Sequence, residues 1–497
     1  MILKKEIFRE YDIRGIYKEE FDEETAYYIG LAYGTKLKEY GKDKTVLGYD
    51  NRLSSVALEK EMLRGLVDAG INVLRLGLVT TPMCYFAANH FKVDASMMIT
   101  ASHNPKEYNG FKFSYNGIHN AYGEAVKEIY NIINEKKYTL GKGSVKEVKF
   151  EEEYIKLITD KLDFGKRKLK VVYDPGNGTT SIIADKVFEK IPVEAIPICN
   201  VSDGNFPNHH PDPCVYANLK MLKDKVLEVH ADLGIGYDGD GDRVGFIDNM
   251  GNMIETDKFM IIMWKYLYDK VDKKECLFDV KCTKALEDEL IKLGVKPIEY
   301  RTGNSYTRAA SAEGDYPLSG ELSGHVYFRD KFPGYDDGIY AGMRLIELLS
   351  NTDKSLSSML DDTTKYYSTE ELKVKVTDET KFKIIDKMVE YSKSKGYNTV
   401  TIDGMKAKFD DGFALVRASN TGPNITMRYE AKTEEKLKEL QEEFTSELNK
   451  TIKEEIKDME NKEIEEPTKT EKTIIMVLLA IIILLIIAIG IVLFLKK

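Results

Sequence analysis

The chain has 497 residues, of which 43% are hydrophobic and 31% are charged. This balance is typical of globular proteins and argues against a mostly disordered or fibrous chain. The formal net charge of −10 argues against non-specific nucleic-acid binding, since that needs clustered Lys and Arg. At roughly 100–200 residues per domain, the length predicts three or four domains.

The cysteines and the N-terminus indicate a reducing compartment. Five cysteines contain no C-x-x-C pair and leave one over, which is not the pattern of a disulfide framework. The N-terminal stretch MILKKEIFREYD is charged at once and lacks an apolar run, so a cleaved secretory signal is not expected. The seven histidines are too scattered to predict a metal-binding motif.

The body of the chain alternates β-rich runs with amphipathic stretches. Helix-like patterns span Ser55–Ala69 and Thr283–Leu293, and a last unit at about Tyr367–Lys450 has the pattern β-α-β-β-α of a small α+β domain. Strands that alternate with helices predict βαβ units and mixed or parallel sheets, with functional groups outside the carboxyl ends of the strands. Four apolar runs end there in an Asp or a Gly-rich turn: Thr45–Asp50, Lys170–Gly178, Asp232–Asp242 and Cys276–Lys281.

A serine loop follows one predicted strand. The segment MMITASHNPKEYNGFK takes an apolar strand into Ser102, His103, Asn104 and Pro105. A serine presented at the end of a strand beside a histidine is a candidate nucleophile. A polar turn with no chemical role explains the same residues equally well.

An acidic loop follows the strand LGIGY. Asp238, Asp240 and Asp242 alternate with glycines, and Arg243 comes next. Three carboxylates at every second position can converge on one hard cation, and the glycines allow the backbone to fold tightly around it. An EF-hand would need Gly in place of Arg243 and Glu in place of Asn249, so Mg²⁺ held with a phosphate oxygen is favoured over Ca²⁺. A solvated acidic turn is the alternative.

Two further loops carry polar groups. GELSGH places Glu321, Ser323 and His325 in a glycine-rich loop suited to sugar hydroxyls, although a structural loop is as good an interpretation. RASNTG combines a guanidinium, hydroxyls and turn amides, as a bound phosphate dianion requires, and its residues are Arg417, Ser419, Asn420 and Thr421. A plain surface turn is the alternative there.

The last residues predict a membrane anchor. Thr473–Leu495 contains no charge, and the 22 residues from Ile474 would extend about 33 Å, close to the ~30 Å of a bilayer core. A buried core helix is disfavoured because such helices keep a polar stripe. The charge-rich stretch from Glu454 to Lys472 before it is interpreted as a stalk.

Together, the four loops resemble in order and spacing those of the α-D-phosphohexomutase family, and most closely its phosphomannomutase/phosphoglucomutase branch, here with an added C-terminal transmembrane anchor. The resemblance extends over about residues 7–445 and includes FREYDIRG near the start and DGNFPNHHPDP at Asp203–Pro213. It implies three related mixed-sheet α/β domains and a smaller α+β fourth domain around a central cleft. The expected divisions are 1–145 (serine loop), 146–252 (metal loop), 253–366 (sugar loop), 367–452 (phosphate loop), 453–472 (stalk) and 473–495 (anchor).

The resemblance also implies roles for individual residues. Ser102 would be the phosphoserine, and Asp238, Asp240 and Asp242 would hold Mg²⁺ together with an oxygen of that phosphoserine. Glu321 and Ser323 would bind sugar hydroxyls. Arg417, Ser419, Asn420 and Thr421 would bind the distal phosphate. Lys112 and His325 are candidates for proton transfer, and Tyr11, Arg14, His103, Arg243 and Lys281 would line the reacting centre.

The activity that follows from the resemblance is reversible transfer of a phosphoryl group between the 1- and 6-positions of mannose or glucose phosphates. It would proceed through phospho-Ser102 and a hexose 1,6-bisphosphate, which also serves as activator. The loop GELSGH favours this branch over a phosphoglucosamine mutase, and every catalytic position is filled, which disfavours an inactive membrane-tethered sugar-phosphate sensor. One departure is Asn304, where relatives often carry a histidine, so a proton-transfer role is in doubt there.

The expected location is the cell membrane, with a single span and the catalytic body in the cytoplasm. The expected partners are the hexose phosphate, the membrane and, as a hypothesis, nearby membrane enzymes of glycan synthesis. No nucleic-acid partner is expected.

Overall fold

A computed structural model describes residues 1–117, 119–419 and 422–465, with side chains up to Lys457. These residues form two compact units. The first comprises residues 1–368 and 430–433, and the second takes in residues 369–429 and the helix that begins at Glu434.

The first sheet of the first unit is mixed. Its strands follow the order β1-β5-β4-β2-β3-β7, with β6 paired to β5. The pairs β2–β3, β2–β4 and β3–β7 are parallel, whereas β5 is antiparallel to β1, β4 and β6. The strands are β1 (Ile13–Ile16), β2 (Lys44–Tyr49), β3 (Asn72–Leu78), β4 (Ser96–Ile99), β5 (Tyr108–Asn116), β6 (His119–Asn120) and β7 (Val145–Glu147). The helices are α1 (Glu23–Glu39), α2 (Ser55–Asp68), α3 (Thr81–His90) and α4 (Glu124–Glu135).

The second sheet has the order β12-β11-β10-β8-β9 and is also mixed. Strand β10 is parallel to β8 and antiparallel to β11, so the acidic loop after β10 turns the chain back on itself. The elements are α5 (Glu151–Thr159), β8 (Leu169–Asp174), α6 (Ala184–Phe188), β9 (Val193–Pro197), α7 (Lys220–Val229), β10 (Leu233–Tyr237), β11 (Val244–Asp248) and β12 (Met253–Ile254).

The third sheet has the order β14-β13-β15-β16. Strand β13 is parallel to both neighbours, and β15 and β16 form an antiparallel hairpin around the predicted sugar loop. The elements are α8 (Thr256–Leu267), β13 (Glu275–Asp279), α9 (Lys284–Leu293), β14 (Lys296–Tyr300), α10 (Asn304–Gly314), β15 (Leu318–Gly320), β16 (Val326–Phe328) and α11 (Gly338–Ser350), followed by the short strand β17 (Tyr367–Ser368). Single 3-10 turns occur at Lys5–Ile7, Thr179–Ile182, Tyr216–Leu219, Tyr268–Lys270 and Leu356–Leu360.

The second and third sheets share one hydrophobic core. Every residue of α11 is buried, because this helix packs against α5, β8, β10 and β11 as well as its own sheet. The apolar cluster runs on into α3 of the first sheet through side chains such as Met83 and Tyr85. This continuous core explains why the three predicted α/β domains form one compact unit.

The second unit has the predicted helix pair but more strands than predicted. Its elements are β18 (Leu372–Lys375), α12 (Lys381–Ser394), β19 (Asn398–Val400), β20 (Met405–Phe409), β21 (Gly412–Ala418), β22 (Asn424–Ala431) and α13 (Glu434–Glu465). The sheet order is β17-β22-β21-β20-β19, with β18 also paired to β22, and α12 packs on β20 and β21. Short strands such as β19 were missed because three residues give no alternating pattern.

The predicted anchor Thr473–Leu495 lies outside the described residues. Within the ranges that the structure describes, no helix combines the length and the apolar character needed to cross a bilayer. Helix α13 continues through Glu465 and so includes the first part of the predicted stalk.

Asp337, the N-cap of α11, gives a test of the core shared by the second and third sheets. Its carboxylate accepts hydrogen bonds from the Tyr340 backbone N–H (2.9 Å) and the Tyr154 hydroxyl (2.8 Å). Burial raises its pKa from 3.8 to about 7 despite these bonds. The folded protein therefore binds one proton more than the unfolded chain between about pH 4 and pH 7, and Asp337 makes stability fall as pH rises through that window, by on the order of 4 kcal/mol.

We expect Asp337→Asn to remove this contribution, because the amide can still cap the helix but does not titrate. Thermal unfolding midpoints measured from pH 4 to pH 7 should decline less steeply than in the wild type. Asp361→Asn, at an exposed carboxylate, is the matched charge control. If the unfolding midpoints of Asp337→Asn and the wild type declined equally between pH 4 and pH 7, the raised pKa would be contradicted.

Candidate active site

Ser102 lies in the tight turn after β4. Its backbone has a left-handed φ of 51°, and its N–H donates to Thr100 Oγ1 at 2.8 Å. The buried hydroxyl donates to Asp238 Oδ2 at 2.7 Å and lies 3.3 Å from His103 Nδ1. The fold therefore brings together the predicted serine loop and the predicted metal loop, which are 136 residues apart in the chain.

The close approach of these two loops depends on a glycine. A Cβ atom at Gly239 would lie 2.5 Å from the Ser102 carbonyl oxygen, which no side chain can tolerate. Gly241 has φ of 82°, a conformation that favours glycine. The alternating glycines of the acidic loop thus have both a steric and a conformational cause.

Arg52 supports the serine loop through hydrogen bonds to backbone carbonyls. This fully buried guanidinium donates to the carbonyl oxygens of Ser102, Asn104 and Pro105 at 2.7 Å and to that of Tyr108 at 3.0 Å. Its Nε donates to Asp50 Oδ2 at 3.2 Å. One side chain therefore satisfies three backbone carbonyls of a loop that has no regular secondary structure and a fourth at the start of β5.

Three buried carboxylates follow β10. Their ligand atoms lie within 4.8 Å of one another, and Asp238, Asp240 and Asp242 are all inaccessible to solvent. Lys112, on β5, donates to Asp240 Oδ2 at 2.9 Å and to Asp242 Oδ2 at 2.6 Å. Thr81 Oγ1 also donates to Asp240 Oδ2, at 2.6 Å. The first and second sheets thus meet at a cluster of charges.

The charges shift one another's pKa values. Burial, reinforced by the charges of Asp240 and Asp242, raises the pKa of Asp238 well above its usual range. Burial also disfavours the ionised form of Asp240, but the Lys112 ammonium outweighs it and lowers the pKa of Asp240. The same two carboxylates overcome the effect of burial on Lys112 and raise its pKa. Lys112 is therefore an ammonium at neutral pH.

The donor set fits a hard divalent cation. Asp240 Oδ1 and Asp242 Oδ1 are buried carboxylate oxygens without a hydrogen-bond partner among the described residues. Asp238 Oδ1, in contrast, accepts from the N–H groups of Gly241 (2.9 Å) and Arg243 (3.1 Å). Unpaired carboxylate oxygens converging beside a serine hydroxyl are the ligands that Mg²⁺ prefers.

His325 faces the same cluster from the third sheet. Arg243 Nε donates to its Nε2 at 3.0 Å, and its Nδ1 lies 2.7 Å from Asp336 Oδ2 and 3.7 Å from Asp242 Oδ1. With Nε2 as acceptor, the ring proton lies on Nδ1, which is in short contact with Asp336 but is not aligned for a hydrogen bond to it. Asp336 is in turn paired with the buried Arg308. The imidazole thus lies between Arg243 and Asp336.

The predicted sugar loop is partly engaged within the protein. Glu321 is fully buried, and its Oε1 accepts the Gly303 N–H at 2.6 Å while Oε2 lies 3.3 Å from the Tyr327 hydroxyl. Burial, reinforced by the charge of Asp279, raises its pKa. Ser323 is half-buried in the same loop. Lys281, after β13, lies 3.9 Å from Asp279 Oδ2.

The N-terminal segment contacts the serine loop. Arg14 Nη1 donates to Asn104 Oδ1 at 2.7 Å, and Nη2 donates to Asp12 Oδ2 at 2.5 Å. Tyr11 is half-buried beside Gly303, where an added Cβ would lie 3.2 Å from its ring. Burial and the charges of Arg243 and Arg14 lower the pKa of His103 well below its usual value, so its imidazole is neutral at neutral pH.

The predicted phosphate loop belongs to the second unit. Arg417, on β21, donates to both oxygens of Asp403, at 2.9 and 3.3 Å. The Ser419 carbonyl accepts from Lys381 Nζ at 3.0 Å. Asn420 and Thr421 lie outside the described residues. Lys381 adds a second cationic group, which the sequence pattern did not single out.

Sequence reasoning missed Arg52, Asp336 and Arg308. Each acts through a side chain or loop that it holds, and none belongs to the six segments that carried the resemblance. Arg52 follows the strand TVLGYD by two residues, so its position at the carboxyl end of β2 was the one available signal. Asn304 begins α10, and its carbonyl lies 3.3 Å from the Tyr327 hydroxyl.

Four family models match almost the whole described chain. They are phosphoglucomutase/phosphomannomutase alpha/beta/alpha domain I at residues 5–139, domain II at 152–251, domain III at 255–367, and the C-terminal domain at 371–447. Their order along the chain agrees with the order of the four sheets.

Individual relatives agree with this match. A phosphomannomutase/phosphoglucomutase of Pseudomonas syringae is 39% identical over 90% of this chain and 96% of its own length. A phosphoglucomutase of Neisseria gonorrhoeae is 36% identical over 89% and 96% of the two chains. A crystal structure of a phosphoglucomutase/phosphomannomutase family protein from Burkholderia thailandensis has a TM-score of 0.85 at 34% identity and covers 90% of this chain and 98% of its own.

The fold and site define an enzyme of phosphoryl transfer built on mixed α/β sheets. The chain belongs to the phosphoglucomutase/phosphomannomutase family. It is a hexose phosphate mutase, an isomerase that moves a phosphoryl group between the 1- and 6-positions of a hexose phosphate.

We expect Arg52→Lys to impair this enzyme without altering any group in the charge cluster. An ammonium cannot span four carbonyls, and each buried carbonyl left unpaired costs about 1–3 kcal/mol. The free energy of unfolding should fall by that order, and kcat should fall about 100-fold, because the displaced Ser102 loop misplaces the hydroxyl. Arg64→Lys, at a side chain that is 58% exposed, is the matched control. Wild-type kcat in Arg52→Lys would show that the loop holds its shape without the guanidinium.

Proposed function

We propose that Ser102 carries the phosphoryl group that this mutase transfers. The observation that carries the proposal is the 2.7 Å hydrogen bond from the buried Ser102 hydroxyl to Asp238, inside a cluster of three carboxylates, one ammonium and one guanidinium. Phosphoryl transfer depends on positioning and on charge neutralisation, which this cluster supplies.

The transfer begins with phospho-Ser102 and a hexose monophosphate. The free sugar hydroxyl attacks phosphorus, the bond from Ser102 Oγ to phosphorus breaks, and Oγ regains a proton while the sugar hydroxyl loses one. The product is a hexose 1,6-bisphosphate, which turns over and returns its other phosphoryl group to Ser102 by the reverse step. Free hexose 1,6-bisphosphate therefore acts as the activator that phosphorylates Ser102.

Lys112 and His325 are the proposed proton-transfer groups. The ammonium of Lys112 contacts Asp240 and Asp242, and it is proposed to donate a proton to the oxygen that loses phosphorus. His325 presents Nε2 as an acceptor, with Asp336 at Nδ1 to stabilise the imidazolium that would form. Arg243 and Lys281 are proposed to neutralise phosphate charge, and His103, which is neutral, to position the hydroxyl.

Mg²⁺ is the proposed metal, held by Asp238, Asp240, Asp242 and an oxygen of phospho-Ser102. When bound it would neutralise part of the negative charge of the transferring phosphoryl group. The family requires this metal, and the unpaired oxygens of Asp240 and Asp242 are the feature of this chain that supports it.

The remaining polar residues are proposed to bind the substrate. Glu321 and Ser323 would bind sugar hydroxyls, with Tyr11 and Arg14 near the reacting end. The phosphate that does not react would bind Arg417, Ser419, Asn420 and Thr421. The proposed substrates are mannose and glucose phosphates, and the proposed domain divisions are those stated for the sequence.

We further propose that Thr473–Leu495 anchors the enzyme to the cell membrane, with the catalytic body in the cytoplasm. The support is the uncharged length of this segment, which matches the bilayer core. Sugar 1-phosphate would then be released near membrane enzymes that build glycans.

A mutase assay on the full chain tests the role of Ser102. With Mg²⁺ and a trace of hexose 1,6-bisphosphate, we expect turnover of mannose 1-phosphate and glucose 1-phosphate. Ser102→Ala should lose at least about 10³-fold in kcat, because the covalent carrier is gone. The control Ser144→Ala, at an exposed serine, should retain activity. Full activity in Ser102→Ala would overturn the assignment, and turnover of glucosamine 1-phosphate alone would move the substrate to amino sugars.

The metal site has its own test. Asp240→Asn removes one anionic ligand, so we expect the Mg²⁺ concentration for half-maximal activity to rise about 10-fold or more, with residual activity recovered at high Mg²⁺. The control is Asp248→Asn, which alters a carboxylate at the end of β11 that lies away from the acidic loop. An unchanged Mg²⁺ dependence in Asp240→Asn would place the metal elsewhere.

Cell fractionation tests the anchor. The full chain should sediment with membranes, and a chain ending at Lys472 should stay in the supernatant with its mutase activity intact. Recovery of the full chain in the supernatant would refute the anchor. Glycan output that is unchanged by the truncation would refute the role in glycan synthesis but not the anchor itself.

A further inference from the structure

A second cluster of metal-ligating side chains lies apart from the three aspartates. Asp174 at the end of β8, Cys199 after β9 and His209 in the Asp203–Pro213 segment each offer one ligand atom, and these atoms all lie within 4.8 Å of one another. The phosphoryl-transfer mechanism uses none of the three. Their chemical types, a carboxylate, a thiolate and an imidazole, match the ligands of zinc rather than those of Mg²⁺.

The imidazole of His209 is already oriented as a ligand. Its Nδ1 lies 3.0 Å from the His210 carbonyl oxygen, which accepts the Nδ1 proton, and its Nε2 lies 2.9 Å from Asp174 Oδ2. A histidine that donates one ring N–H to a backbone carbonyl and turns the other nitrogen to a cluster of ligands is the usual arrangement at metal sites. Here Nε2 is the atom that faces the carboxylate and the thiol.

The other two side chains are held in the same way. Asp174 is buried, and its second oxygen, Oδ1, accepts the Gly176 N–H at 2.8 Å, which leaves Oδ2 for the cluster. Cys199 has a left-handed φ of 47°, and its carbonyl accepts the Asn177 N–H at 2.8 Å. His209 and Asp174 therefore each have a supporting side-chain hydrogen bond outside the cluster, as metal ligands do, and Cys199 is positioned by its backbone.

We propose that Asp174, Cys199 and His209 bind a divalent transition metal ion of the zinc type. The ion would take Asp174 Oδ2, Cys199 Sγ and His209 Nε2, with a fourth position open to solvent, because Cys199 and His209 are only half-buried. Binding displaces the proton between His209 and Asp174 and the thiol proton of Cys199, and both protons go to solvent.

Occupancy would tie together two loops close to the active site. The loop after β8 already holds the Asp203–Pro213 segment through Asn177, which accepts the Asp203 N–H at 2.9 Å. Two residues after Asn177, the Thr179 N–H donates to the Gly239 carbonyl of the acidic loop at 2.8 Å. A bound ion would therefore cross-link the segments that support the acidic loop without touching Asp238, Asp240 or Asp242.

Cobalt(II) absorption on the full chain tests the proposal, because a thiolate–cobalt bond gives a charge-transfer band that carboxylates do not. We expect one equivalent of Co²⁺ alone to produce this band in the wild type. Cys199→Ser should lose it, and His209→Gln should raise the apparent Kd for Co²⁺ by about 10-fold or more. Cys84→Ser, at a buried cysteine of α3, is the matched control and should keep the band.

Two further variants separate this site from the active site. The band should persist in Asp240→Asn, since Asp240 is not a ligand here, and in Cys214→Ser. Absence of the band in the folded wild type would overturn the proposal, and so would its survival in Cys199→Ser. Cys214 and Arg243 both lie against Gly324. Loss of the band in Cys214→Ser but not in Cys199→Ser would place the metal at Cys214, beside Arg243, and would equally overturn the proposal. If Cys199→Ser fails to fold, the comparison of His209→Gln with the wild type decides.

Discussion

Three carboxylates buried beside one serine hydroxyl are the constraint on which the first unit depends. Asp238, Asp240 and Asp242 would repel one another strongly in a buried site without compensating charge. Lys112 from the first sheet compensates part of that charge, and two oxygens have no hydrogen-bond partner in the described part of the chain. The site therefore requires the first and second sheets to stay together, and it favours a cation and a phosphoryl group that would share the remaining charge.

Rigid supports around this cluster matter as much as the reacting groups. Arg52 satisfies three carbonyls of the serine loop and that of Tyr108 at the start of β5. Asp336 lies 2.7 Å from the imidazole of His325, which accepts from Arg243 at its other nitrogen. Gly239 allows the acidic loop to reach the Ser102 carbonyl. Catalysis of phosphoryl transfer is mainly positioning, so these supporting contacts are part of the catalytic design.

Prediction from sequence succeeded where local pattern and loop chemistry coincided. The apolar runs before the loops became β2, β8, β10 and β13, and the helical pattern at Ser55–Ala69 became α2. The serine and acidic loops were placed correctly at the ends of strands. The short strands of the second unit were missed because two to four residues carry too little periodicity, and α11 could not be foreseen as a helix that joins two sheets.

The residue types and their order along the chain specified the family, the alternation of strands and helices, and the groups able to do phosphoryl chemistry. Those features are local, because propensity, turn residues and loop motifs act within a few positions. The contacts between Ser102 and Asp238, the four carbonyls on Arg52, and the gathering of Asp174, Cys199 and His209 depend on packing between distant segments. Such packing depends on how distant segments fit together in the shared core, so only the tertiary structure determines these contacts.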